Sequence, residues 1–121
     1  MKTEIQNTAE PAALREINLI KKVVSGVFGV PVDAIDGPSR AVPLPKMRHI
    51  AMALSYKLSG SSLPDVARAF NKENHGAVSY AIEANRDRCT VDKAFRLQFS
   101  RIEAQCRKAV LKVRREEAVK Q

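Results

Sequence analysis

The sequence predicts an all-α domain, and three observations carry that expectation. Only six of its 121 residues are aromatic, none of them Trp, although 45% are hydrophobic. Such a composition favours packed helices over a sheet-rich core. The apolar residues recur at steps of three and four, the helical period, in segment after segment. The length also argues for one domain, because two cores would leave each half too small to bury enough surface unaided.

The first eleven residues are polar, so residues 1–11 are expected to form a flexible N-terminus, with Pro11 placed where a first helical turn tolerates it. Leu14, Ile17, Ile20, Val24, Val27 and Phe28 then share one helical face, with Arg15, Lys21, Lys22 and Ser25 off it, and Gly29 before Pro31 supplies a stop. Residues 31–45 hold Pro31, Pro38, Pro43 and Pro45 as well as Gly37, a density that predicts a loop without helix. The helical pattern resumes at Lys46 through Ile50, Leu54 and Leu58, with Ala51 and Ala53 beside them, and Ser59 and Gly60 end it.

Ser62-Leu63-Pro64-Asp65 reads as a helix start, with Ser62 as cap, Pro64 in the first turn and Asp65 at the positive end of the dipole. Leu63, Val66, Ala67 and Phe70 form the stripe behind it. A polar break over Asn71 to Asn74 separates this helix from one over His75 to Asn85, which buries Val78 and Ile82 beside Ala77 and Ala81. A long C-terminal helix is expected from near Thr90, with Phe95, Phe99, Ile102, Cys106, Ala109 and Val113 as its seam.

Lysine and arginine outnumber acids 21 to 13, for a net charge of +8 and a pI near 9.9, so polyanions lead the list of partners. The excess is local: residues 37–64 carry four bases and no acid, and residues 86–121 carry eleven bases against five acids. No apolar run has membrane-spanning length and the N-terminus lacks a signal-like segment, which predicts a cytoplasmic protein, on the nucleoid, with no membrane partner. Cys89 and Cys106 stand apart without a CxxC or a flanking His pair, so reduced thiols are expected rather than a metal site or disulfide. Two isolated histidines offer no hydrolytic set, and the glycines at 26, 29, 37, 60 and 76 form no phosphate-binding loop. The expectation is a protein that is not an enzyme and takes no metal, cofactor or nucleotide.

Two short helices joined by a tight polar turn, Ser62 to Phe70 and His75 to Asn85, have the dimensions of a helix-turn-helix. Helical hairpins are common, but this one follows a basic, acid-free segment, the electrostatic footprint of a nucleic-acid binder.

The residues add a specific resemblance. Arg48-His49-Ile50-Ala51-Met52-Ala53-Leu54, Leu58-Ser59-Gly60-Ser61-Ser62-Leu63-Pro64-Asp65-Val66, Ala69-Phe70 and Asn74-His75-Gly76-Ala77-Val78 follow one another in the order and spacing of a known motif. The chain resembles the C-terminal DNA-binding domain of the bacterial replication initiator DnaA, whose signature runs R-Q-x-A-M-x-L, L-T-x-x-S-L-P-x-I-G and F-G-G-R-D-H-T-T-V. The similarity reaches back through Ile17-Asn18-Leu19-Ile20 and Val30 to Ile35, and covers roughly residues 16–108. It implies a helix-turn-helix domain over 12–108, leaving 109–121 as a basic helical extension; Lys112, Arg114, Arg115, Glu116, Glu117 and Lys120 make that extension mostly polar, so it is expected to be dispensable for folding. Without a phosphate-binding loop, a stand-alone form lacking the initiator's ATPase domain is expected.

The resemblance further implies roles. Arg40 falls where the family places a loop arginine in the minor groove, and Pro64 where a proline touches a thymine methyl. Asn74, His75 and Gly76 occupy the base-reading start of the recognition helix. Lys46, Arg48, His49, Ser61, Leu63 and Ala77 fall at or near phosphate-contacting positions. The chain also departs from the family. Asn74 replaces an aspartate, Gly76 and Ala77 replace threonines, Asn71-Lys72-Glu73 replaces Gly-Gly-Arg, and Val42 and Tyr56 stand where bases are frequent. Asn74 is expected to serve as a helix N-cap as well.

The resulting expectation is a sequence-specific double-stranded DNA-binding protein, acting in transcription regulation or as a competitor at initiator-type DNA replication sites. It is expected to be a monomer, with a dimer through the C-terminal helix as the alternative. The rival functions are a protein-interaction or self-association module that has lost base reading, and a non-specific nucleoid binder.

Overall fold

The computed structural model describes residues 11–37 and 44–120, and over them every regular element is helical. The helices are α1 (Ala12–Phe28), α2 (Val32–Asp36), α3 (Leu44–Ser59), α4 (Leu63–Ala69), α5 (Gly76–Val91) and α6 (Lys93–Lys120). The expectations for residues 1–10 and for Arg40 and Val42 lie outside the described residues.

α3 is the hub, touching each of the other five helices. Its Met47, Ile50, Ala51 and Leu54 are fully buried, because apolar side chains point from more than one side into surrounding helices. α1 lies along it through Ile17, Ile20 and Val24 and stops where Gly29 enters the left-handed region at φ 70°, with the Val30 N–H returning to the Ser25 carbonyl at 3.0 Å. Val27, expected on the buried face, is 40% exposed, since it sits in the last turn past the end of that contact.

The proline-rich stretch differs from the loop expected. Pro31 takes an extended conformation immediately before α2, where its missing N–H costs nothing, and the Gly37 N–H closes the short helix on the Asp33 carbonyl at 2.9 Å. This turn exists to bury Ile35, which is 1% exposed. α3 likewise begins before Lys46, with Pro45 in its first turn. Lys21, expected off the apolar face, is buried: its Nζ pairs with Asp36 at 2.9 Å, donates to the Ala69 carbonyl and sits 4.5 Å from the Phe70 ring centroid. One ammonium thus joins α1, α2 and the end of α4.

α5 runs six residues beyond its expected end at Asn85, and α6 starts at Lys93 rather than near Thr90. The break between them is made by Asp92, whose carboxylate accepts the Phe95 N–H at 3.0 Å. Along α6, Phe95, Ile102, Cys106 and Val110 are the buried positions, with Ala109 and Val113 half-buried. That seam faces α1, α3 and α5 of the same chain, so it is not free to form the coiled-coil dimer considered above. The last turns of α6 are tied back to the domain through buried Val110 and through Arg114 and Glu117, which pair with Glu16 and Arg15 of α1, while Val119 is exposed. No helix of the described residues is long and apolar enough to cross a membrane.

Candidate nucleic-acid interface

The helix-turn-helix is built as its sequence specifies. Ser62 caps α4 by accepting the Asp65 N–H at 3.2 Å, and Pro64 and Asp65 follow, both exposed. Phe70, 1% exposed, anchors the end of α4 in the core. The chain then reverses at Asn71, which takes φ 60°, a conformation that asparagine tolerates better than most residues, while the Lys72 N–H returns to the Ala67 carbonyl at 2.8 Å.

At the start of α5 the N-cap position is His75, whose side chain makes no capping bond. Asn74 does that work from one position earlier: its Oδ1 accepts the Gly76 N–H at 2.6 Å. One lone pair of the carbonyl thereby serves the backbone, and the amide NH2 can address a base acceptor. A Cβ at Gly76 would lie 2.8 Å from that Oδ1, so a larger residue there would require the Asn74 side chain to shift. His75 and Gly76 are exposed, and Ala77 is half-buried above Val78.

Val78, Ala81 and Asn85 face inward, which leaves His75, Gly76, Tyr80, Glu83, Arg86 and Asp87 exposed on the open side of α5. Tyr80, 66% exposed, belongs to this face and was missed by the sequence reading. Its signal was its position, four residues beyond Gly76 and hence one turn along the same face.

The expected phosphate contacts separate into distinct environments. Lys46 is half-buried with its Nζ 5.0 Å from the Phe95 ring centroid. Ser61 is half-buried with its Oγ 2.9 Å from that of Ser59, and Leu63 packs on the core beside the exposed Pro64. Arg48 corrects the expectation of a free phosphate contact: it is 8% exposed, with Nε donating to the Ile35 carbonyl at 2.9 Å and Nη2 to that of Ala34 at 3.3 Å. Its guanidinium serves the unsatisfied carbonyls at the end of α2. His49 is half-buried, edge-on to the Tyr80 ring at 5.5 Å, and its Nδ1 lies 3.1 Å from Nη1 of Arg88. Arginine only donates, so His49 accepts at Nδ1 and its proton resides on Nε2. Burial, then the charges of Arg88 and Arg48, hold His49 below the ordinary histidine range, which keeps it neutral at neutral pH.

Among the described residues no group of three or more His, Cys, Asp and Glu side chains is placed to hold a metal. A surface hollow of about 860 Å³ is lined by both charge signs, including Arg15, Lys22, Asp36, Glu116 and Glu117, and shares no residue with the helix-turn-helix.

The family model for the bacterial DnaA protein helix-turn-helix matches residues 17–84, more than half of the chain. Chromosomal replication initiator protein DnaA from Acinetobacter baumannii (strain AYE) is 36% identical over 64 residues, covering 53% of this chain and 14% of that protein. The same-named protein of Buchnera aphidicola subsp. Baizongia pistaciae (strain Bp) is 40% identical over 65 residues, covering 54% of this chain and 14% of the relative. A solved structure described as the crystal structure of a DNA replication initiation factor superposes with a TM-score of 0.75 at 25% identity, over 82% of this chain and 30% of that one. The match thus spans about 14% of the length of these curated relatives. From the extent of the match to the family model and the helix-turn-helix described above, the chain belongs to the bacterial DnaA helix-turn-helix family, a family of double-stranded-DNA-binding domains.

Proposed function

We propose that this protein binds double-stranded DNA sequence-specifically, with the start of α5 in the major groove and Arg40 in the adjacent minor groove. The observation that carries this reading is the exposed, capped start of α5, where Asn74, His75 and Gly76 are presented with Tyr80 one turn behind. Exposed N–H groups and the positive end of the helix dipole there favour an adjacent phosphate. Lys46, His49, Ser61 and Leu63 at the α4 start act as backbone contacts that set register, Pro64 touches a thymine methyl, and base edges are read by His75 and the Asn74 amide. The role of Arg40 rests on the family resemblance.

Asn74 can donate as well as accept, and Gly76 and Ala77 lack the threonine methyl and hydroxyl, so base preference need not follow that of the aspartate and threonines they replace. The protein acts by occupying DNA, as a transcriptional regulator or a competitor at initiator-type sites on the nucleoid, without a catalytic step. Selection from a pool of random duplexes tests this reading. A recurrent motif whose enrichment is lost in His75→Ala supports it, whereas recovery of unenriched sequence refutes specificity.

A further inference from the structure

We propose that Arg88 of α5 and His49 of α3 form a two-point site for one phosphate of the DNA backbone, in which the phosphate replaces the hydrogen bond these two side chains make to each other. The proposal rests on the DNA-binding reading above and adds a residue, Arg88, outside the helix-turn-helix motif.

The first argument is charge. Several basic side chains have carboxylate partners: Arg114 with Glu16, Arg15 with Glu117, Lys21 with Asp36, and Lys57 and Arg107 with Glu103. Arg88 has none among the described residues; its Nη1 is aimed at a neutral imidazole 3.1 Å away. Arg48 is directed at carbonyls, Lys46 at an aromatic face, and Arg96 at the Cys89 carbonyl, 3.2 Å away and next in sequence to Arg88. Two of these cations, Arg48 of α3 and Arg88 of α5, act on His49, and among the described residues no carboxylate pairs with either, so an anion would balance the charge gathered there.

The second argument is placement. Tyr80, on the exposed face of α5 that begins with His75 and Gly76, touches the His49 ring edge-on. The His49 and Arg88 pair is thus continuous with the recognition surface. The third is donor chemistry. The guanidinium offers five N–H donors in a fork suited to phosphate, and His49 adds a second donor from another helix.

A phosphate arriving between them favours the charged imidazole, and a proton taken from solvent at Nδ1 ends its role as acceptor and frees the Arg88 N–H for the phosphate oxygen. The groups facing His49 are Arg48 on its own helix and Tyr80 and Arg88 on α5, so no carboxylate competes for that proton. Burial and the two arginines hold the proton off in the free protein, so DNA binding takes one up.

The test is a salt titration of a selected duplex and a scrambled one, with wild type, Arg88→Gln, Arg88→Lys and His49→Gln, each first shown by circular dichroism to be folded. Arg88→Gln is expected to lower the slope of log affinity against log salt by about 0.9 on both duplexes, and Arg88→Lys to keep it. Between pH 7.5 and pH 6 the wild type should gain affinity more steeply than His49→Gln. Calorimetry in buffers of different ionisation enthalpy should show proton uptake that His49→Gln lacks. A wild type that binds while Arg88→Gln keeps the full slope, or while His49→Gln has the same pH response, overturns this inference and leaves the DNA-binding reading standing. A wild type that binds no duplex overturns both.

Discussion

The Arg114 guanidinium reaches from α6 to α1 and places two hydrogen bonds of 2.8 Å on the carboxylate of Glu16, and a third of 2.8 Å on the carbonyl of Leu58 in α3. Glu16 is 5% exposed, so one side chain near the C-terminus neutralises a buried acid and ties together three helices. One turn away the pairing reverses, with Arg15 of α1 donating to Glu117 of α6. Within residues 109–121, expected from sequence to be a dispensable extension, Val110 is 2% exposed and joins the core, and Arg114 and Glu117 pair with α1.

Arg114→Ala should therefore destabilise the fold by about 1–3 kcal/mol, since it strands a desolvated carboxylate. Removal of residues 109–121 should cost more, because Val110 goes with it. Urea unfolding followed by circular dichroism measures both, and a truncated protein as stable as the full chain would return the segment to a dispensable role.

Asn74→Ala is expected to weaken the start of α5 by about 0.5–2 kcal/mol through loss of the bond to the Gly76 N–H. Gly76→Thr should disturb the same bond by a different route, pushing the Asn74 amide aside, and should alter base preference more than overall affinity for random duplex. Hydrogen exchange at the Gly76 amide reports the first effect, and repeating the binding-site selection reports the second.

Much of this interface was legible because local rules and tertiary packing agree there. Ser62, Pro64 and Asp65 announce α4, the Asn71 turn takes the left-handed geometry that its residue type tolerates, and the stripe of Val66, Ala67 and Phe70 faces the core. What could not be read depended on distant partners. Arg48 matches a phosphate-contacting position, yet turns inward because the α2 carbonyls lie above it, and α2 itself was hidden by the prolines around it. The boundary between α5 and α6 carries no glycine or proline, only the capping carboxylate of Asp92, so two helices read as shifted by several residues. Tyr80 became visible only when α5 was seen to turn its other face inward.

Burial pushes the Cys106 thiol up to about 12, with Glu103 adding to the effect, so at pH 8 the nucleophilic thiolate is suppressed in the native state. Alkylation followed by mass spectrometry should label Cys106 only as fast as the chain unfolds, and Cys89, half-exposed, sooner. Equal labelling of the two in the folded protein would contradict the packing of α6.

His49 contributes a pH dependence to stability whose sign follows from its lowered value. Above the ordinary histidine value of 6.5 the residue is neutral in both folded and unfolded chains and contributes nothing. Below it the unfolded chain takes up the proton first, so stability falls as pH drops. Wild type should therefore lose stability between pH 7 and pH 5 relative to His49→Gln in thermal unfolding without DNA, and parallel curves would contradict the buried, arginine-flanked imidazole.

The central claim, that the start of α5 reads duplex DNA, is tested most directly by fluorescence anisotropy of a selected duplex and its scrambled counterpart with wild type and His75→Ala. The account predicts that His75→Ala weakens binding to the selected duplex by about 1–3 kcal/mol while leaving the scrambled one nearly unchanged, so that the preference between them collapses. Equal losses on both duplexes, or no preference in the wild type, would contradict it.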